Sequence, residues 1–220
     1  MSLGALTLYG YWRSSSAWRV RIALNLKGIV YRSQSVHLVR DGGEQHREDF
    51  AAKTPLHQVP VLEVDGPEGT VRLTQSVAIV EWLEEQQPKP PLLPQSPLLR
   101  ARARELMEIC NSAIQPMHNL STLLAVEDLG STRVAWAGPR IAMGLASAEA
   151  IVAEVAEQFA VGALPSAADA FIVPQLFAAR RFEVDLGPFP TLRRIEASCM
   201  AADAFRKAHP DQQPDAPKDN

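Results

Sequence analysis

Apolar and polar positions follow two different rhythms along the first third of this chain. In "ALTLYG" (5–10) they alternate with the period of two that marks a strand. From Ala17 the step lengthens: Trp18, Ile22 and Leu26 lie four apart on one helix face, and Gly28 is placed to end that helix. "VYRSQSVHL" (30–38) predicts a second strand, and "GGEQHREDFAAK" (42–53) a loop with a short helix. "VPVLEVDG" and "TVRL" predict two strands joined by a Gly-Pro-Glu-Gly turn, and "QSVAIVEWLEEQQ" (75–87) an amphipathic helix. The predicted order is β-α-β-α-β-β-α.

Past that helix the pattern changes. "PKPPLLPQSP" (88–97) holds five prolines, which stop the helix and stiffen the connection, so a domain boundary is expected there. Beyond it no stretch has strand spacing, and helical patterns cover 98–126, 132–158, 167–181 and 191–206. The tail "PDQQPDAPKDN" is polar and proline-rich, and is expected to fray. The expected layout is an α/β thioredoxin-like domain over 1–87, a linker over 88–97 and an all-α domain over 98–220.

Composition narrows the partners. A formal net charge of -3 excludes a general nucleic-acid binder, so any anion site must be built locally from arginines. The two cysteines, Cys110 and Cys199, form no CxxC pair and have no metal-ligand spacing to the five histidines. They read as small buried hydrophobes in a reducing compartment. No segment has 18 uninterrupted apolar residues and the N-terminus lacks a signal-peptide layout, so a cytosolic protein with no metal and no membrane partner is expected.

The chemistry concentrates in "WRSSSAWRVRIAL" (12–24), where three serines precede a helix among Arg13, Arg19 and Arg21. A helix N-terminus gathers unpaired N–H groups and the positive end of the dipole, and so stabilises an anion. Hydroxyl donors at that point lower the pKa of a thiol and favour its thiolate. No cysteine stands there, so the thiol would come from a ligand. The plainer reading is one serine as N-cap and two as loop residues.

"LYGYWRSSSAWRVRIALNLKG" closely resembles the signature of zeta-class glutathione transferases, the maleylacetoacetate isomerase family. The likeness continues through "QVPVLEVDG", "LTQSVAIVEWLEE", "IQPMHNLS", "VPQLFAARRFEVDL" and "FPTLRRIEA", nearly the whole chain. The resemblance implies glutathione as the missing thiol. It gives Ser14 the hydroxyl that bonds the sulfur, with Ser15 beside it. Ser16 stands where the family usually has cysteine, which keeps a hydrogen-bond donor and loses thiol reactivity. It assigns Gln45, Val59, Pro60, Gln75, Ser76, Gln115, Asn119 and Ser121 to glutathione binding. Val59 would pair its backbone with the cysteinyl unit before a cis Pro60, and Gln75 and Ser76 would hold the γ-glutamyl end. Arg13, Arg19 and Arg181 are its candidates for substrate carboxylates, since guanidinium pairs bidentately with carboxylate. Arg19 reads equally as a surface charge. Pro116 is placed to bend the first helix of the second domain.

The function so implied is glutathione-dependent cis–trans isomerisation of a small unsaturated diacid, in the first place maleylacetoacetate, with glutathione transferase activity beside it. Maleylpyruvate is the alternative substrate, and a non-catalytic glutathione-binding module the alternative of another class. The family also implies a two-fold homodimer. Two features read as structural: "SAAD" (166–169) as a helix capping box, and His118 as a satisfied polar residue rather than a base.

Overall fold

The computed structural model describes residues 4–217. The fold is an α/β thioredoxin-like part followed by helices. The chain forms two compact units, Met1–Pro91 together with Asp203–Asn220, and Leu92–Ala202.

In the first unit, β1 (Leu6–Gly10), β2 (Arg32–Ser35), β3 (Val61–Gly66) and β4 (Gly69–Thr74) make one sheet in the order β2-β1-β3-β4. β1 and β2 are parallel and are connected through α1 (Ser15–Leu26), whereas β3 and β4 run antiparallel. The short helix α2 (Glu48–Ala51) precedes β3, and α3 (Ser76–Gln86) follows β4. Leu6, Leu8, Val61 and Leu62 from the sheet are buried with Val20, Ile22, Leu24, Ile79 and Leu83 from the helices. β2 is shorter than the pattern predicts and exposed throughout, because it is an edge strand with mostly polar side chains.

The tail contradicts the sequence reading. α9 (Asp203–Ala208) and the 3-10 turn Pro210–Gln212 pack with the first unit, not with the second domain. Asn25 Nδ2 donates to Ala204 O at 3.0 Å, and the rings of Trp18 and His209 meet edge to face at 5.2 Å. α1 is therefore covered on both sides, which explains why Arg19 and Arg21 are buried in it. Its C-terminus is tied by Lys27, whose buried ammonium donates to Glu84 Oε2 at 2.7 Å, Gln87 O at 2.5 Å and Pro90 O at 3.0 Å.

The second unit holds α4 (Pro97–Glu108), α5 (Leu120–Asp128), α6 (Arg133–Val155), α7 (Ala167–Arg181) and α8 (Pro190–Ala201). α7 is its centre, buried continuously from Ala167 to Leu176. The capping box is present: Asp169 Oδ2 accepts the N–H and the hydroxyl of Ser166, both at 2.8 Å. Two predicted helices are broken. The 98–126 pattern is interrupted by a π-helical turn at Ile109–Ile114 and a 3-10 turn at Gln115–His118. Pro116 has no N–H to continue the ladder, and Asn119 turns extended (φ -62, ψ 146) before α5. The 191–206 pattern divides at Ala202 (φ -89, ψ 138), where α8 stops and the chain passes to the first unit. Among the described residues no helix is long and apolar enough to cross a membrane, and no cluster of His, Cys, Asp and Glu suits a metal ion.

Candidate active site

Strand register gathers the first-unit residues. Val61 is paired with Tyr9 on one side and with Thr74 on the other, and Gly10 is paired with Ser35. The loop after β1, the Val59–Pro60 segment before β3 and the Gln75–Ser76 segment after β4 therefore lie at one end of the strands. The chain after β2 leaves from the same end and leads to Gln45.

Ser14 is the N-cap of α1, and its Oγ accepts the Ala17 N–H at 3.2 Å. A hydroxyl has one donor hydrogen and two lone pairs. The cap occupies a lone pair, so the hydrogen is left to donate to an anion. The plain and the functional readings of this serine are compatible. Ser15 is buried as the first residue of α1, and Ser16 is partly exposed beside it. Arg13 is also partly exposed, its guanidinium 5.2 Å from the centroid of the Trp12 ring.

Arg19 is 0% exposed and donates from Nη1 to Ser76 Oγ at 3.2 Å. It is therefore not a surface charge, and it connects α1 to the first residue of α3. The Gln75 backbone has φ 68, a left-handed value rare outside glycine, and the first turn of α3 has no side-chain cap. Its N–H groups are thus offered to an anion. The Val59–Pro60 bond is cis, as anticipated. Gln45 is buried; its Nε2 donates to Leu38 O at 3.2 Å, while its Oε1 has no hydrogen-bond partner. Such an orphaned acceptor fits an N–H of a peptide-like ligand.

In the second unit the amides form a chain. Gln115 Nε2 donates to Asn119 Oδ1 at 3.0 Å, and Gln175 Nε2 donates to Gln115 Oε1 at 2.9 Å. Gln175 Oε1 meets His118 Nε2 at 2.9 Å, which makes His118 the satisfied polar residue expected. Its ring lies 5.6 Å from that of Phe182, over which Arg181 places its exposed guanidinium at 5.2 Å. Ser121, exposed in the first turn of α5, has no part in this chain. Gln175 was missed by sequence reasoning, for nothing marks a lone glutamine in an apolar helix as a supporting residue.

Arg21 was also passed over. Its guanidinium donates to Trp12 O at 2.9 Å, Tyr11 O at 3.4 Å and Ala208 O at 3.1 Å. Burial lowers its pKa to about 10, against the opposing influence of Tyr31 and Asp215. The signal was present, because a second arginine in the otherwise apolar "WRVRIAL" requires buried acceptors.

Residues 8–91 match the model of the glutathione S-transferase N-terminal domain. The chain is 45% identical to the probable maleylacetoacetate isomerase 2 of Drosophila melanogaster, over 96% of this chain and 90% of that protein. It is 42% identical to the maleylpyruvate isomerase of a Ralstonia species, over 96% of this chain and all of that one. Among solved structures it resembles the maleylacetoacetate isomerase of Anaeromyxobacter dehalogenans with glutathione bound in the active site. There the TM-score is 0.90 and the identity 48%, covering 98% of this chain and 100% of the other.

Proposed function

Because the chain belongs to the zeta-class glutathione transferase and maleylacetoacetate isomerase family, we propose that it isomerises a small cis-unsaturated diacid with the help of glutathione, in the first place maleylacetoacetate to fumarylacetoacetate. The observation that carries this reading is the placement of the Ser14 hydroxyl at the start of α1, at the end of the strands shared with Val59–Pro60 and Gln75–Ser76.

Glutathione supplies a nucleophilic sulfur whose reversible addition turns the double bond into a single bond free to rotate. Ser14 donates its hydroxyl hydrogen to that sulfur, and the α1 dipole favours its anionic form. Ser15 and Ser16 add polar groups in the same first turn. The α3 N-terminus at Gln75 and Ser76 takes a carboxylate, the Val59 backbone pairs with the peptide, and Gln45 Oε1 accepts one of its N–H groups. Arg13 in the first unit is proposed to hold a carboxylate of the diacid and meet negative charge developing on it. In the second unit the family resemblance proposes Arg181 for a carboxylate and Gln115, Asn119 and Ser121 for glutathione. Arg19 holds Ser76 at the start of α3 and is the third arginine proposed for substrate carboxylates.

Maleylpyruvate is the second substrate reading, favoured by the 42% identity to a protein of that name. We also assign the protein to the cytosol as a homodimer, the first supported by two buried cysteines that form no disulfide and the second by the family. The test assays both cis-diacids with and without glutathione. Ser14→Ala should lower turnover at least about tenfold while the glutathione dissociation constant changes little. An unaltered rate would move thiol activation to Ser15 or Ser16, and isomerisation without glutathione would remove the proposal.

A further inference from the structure

The loop that presents Arg13 and Ser14 is anchored by the far end of the chain. Asp215 is separated from Trp12 by 203 positions, yet its Oδ2 accepts the Trp12 N–H at 2.9 Å. The same oxygen accepts the Ser35 hydroxyl at 2.9 Å, so β2, the loop after β1 and the C-terminal segment converge on one atom. The opposite side of the loop is held by Arg21, only 3% exposed, which donates to the carbonyls of Trp12 and Tyr11. The Tyr11 carbonyl also accepts the Ser14 N–H at 2.9 Å. The Trp12 residue thus has its N–H taken by a carboxylate and its C=O by a guanidinium, two residues before the hydroxyl that the reaction uses.

The segment that delivers Asp215 is itself fixed to the first unit. Arg21 Nε donates to Ala208 O at 3.1 Å, His209 packs on Trp18 and the Pro210–Gln212 turn follows. Gln213 Nε2 closes back on Lys207 O at 3.1 Å and His209 O at 2.9 Å. This overturns the expectation of a frayed tail for residues 210–217; residues 218–220 lie outside the described residues.

We propose that Asp215 is a positioning residue for thiol activation: the C-terminal segment is a strap that fixes the Trp12 peptide and thereby the direction of the Ser14 hydroxyl. The proposal rests on the glutathione-activating role of Ser14. A hydroxyl stabilises a thiolate only when its hydrogen points along the bond, so a small rotation of the loop weakens activation before it weakens binding. Gln45, Val59 and the start of α3, which would hold the rest of glutathione, make no hydrogen bond to Asp215.

The experiment compares full-length wild type with Asp215→Ala and Asp215→Asn. It measures turnover, the glutathione dissociation constant by calorimetry, the pH at which bound glutathione develops thiolate absorbance, and the thermal midpoint. In Asp215→Ala, turnover should fall about five- to tenfold and the thiol should ionise at higher pH, with the dissociation constant within about threefold of wild type. Asp215→Asn keeps a carbonyl acceptor for the Trp12 N–H and should recover most of both losses. Wild-type turnover and thiol ionisation in Asp215→Ala would overturn the strap and leave the Ser14 role standing. Parallel loss of binding, rate and thermal midpoint, with Asp215→Asn no better than Asp215→Ala, would reduce Asp215 to a structural contact. Absence of a thiolate signal in wild type would instead remove the Ser14 role and the strap with it.

Discussion

At position 14 one oxygen caps a helix with a lone pair and has a hydrogen left for a ligand sulfur, so residue type and backbone position act together. Two positions on, Ser16 lies inside the first turn of α1 and lacks the reactivity of a thiol. A cysteine at a helix N-terminus is prone to alkylation because its thiolate is stabilised, whereas a serine hydroxyl is a weak nucleophile at neutral pH. Ser16→Cys should therefore make the loop susceptible to covalent modification during turnover of reactive ketoacids, with glutathione affinity within a few-fold of wild type. Mass spectrometry of recovered enzyme decides: an adduct on the wild-type loop, or none on the variant, contradicts this. Glu63 gives a pH prediction. Burial alone would raise its pKa, but hydrogen bonds from Lys53, Arg72 and Tyr9 outweigh it and bring the carboxyl from 4.5 to about 2. A depressed carboxylate stabilises the fold fully above its unfolded pKa and loses that contribution as pH falls toward the folded value. Urea unfolding should show Glu63→Gln less stable than wild type at pH 7, with the gap narrowing at about pH 3. A gap independent of pH would exclude the carboxylate as its source.

Among the elements, α7 is the one that a single side chain commits to its place. Asp169 is fully buried, and burial raises its pKa despite bonds from Ala160 N, the N–H and hydroxyl of Ser166, and Cys199 Sγ. Asp169→Ala would leave these donors buried without their acceptor, a loss of about 3 kcal/mol measurable by denaturant unfolding. A second constraint links α6 to the π-helical turn before Gln115. A Cβ added at Gly144 would lie 2.3 Å from Ile114 Cγ1, and Ile114 is fully buried. Gly144→Ala should therefore cost about 1–3 kcal/mol through overpacking. An unchanged unfolding midpoint would mean that Ile114 moves aside at no cost.

At the scale of the molecule, the chain returns to its first unit after building its second, with residues 203–217 packed against the unit that opens the chain. This return brings residues more than 180 positions apart, such as Arg21 and Ala208, into hydrogen-bond contact. The proposed assembly belongs to the same scale. Light scattering at micromolar concentration should give twice the mass of one chain, and a single-chain mass would refute the homodimer.

Periodicity in the sequence was enough for the order of strands and helices, the serine cap at α1, the Ser166–Asp169 capping box and the proline-rich change of pattern, because each rests on local backbone preference. Motif resemblance added glutathione and the residues proposed to surround its thiol. Neither reached the break at Pro116 and Asn119, since periodicity continues in composition where the hydrogen-bond ladder does not. The reading of Arg19 as a surface charge failed for a related reason. Whether an arginine faces water, a substrate or a buried hydroxyl depends on what covers its helix, and α1 is covered by distant chain: Arg19 meets Ser76, 57 positions on, and Asn25 meets Ala204, 179 positions on. The tail was misread too, because polar, proline-rich composition predicts fraying wherever no partner is in view. Tertiary structure supplied the partners: the Trp12 N–H and Ser35 hydroxyl for Asp215, and for Arg21 the carbonyls that only folding brings within reach.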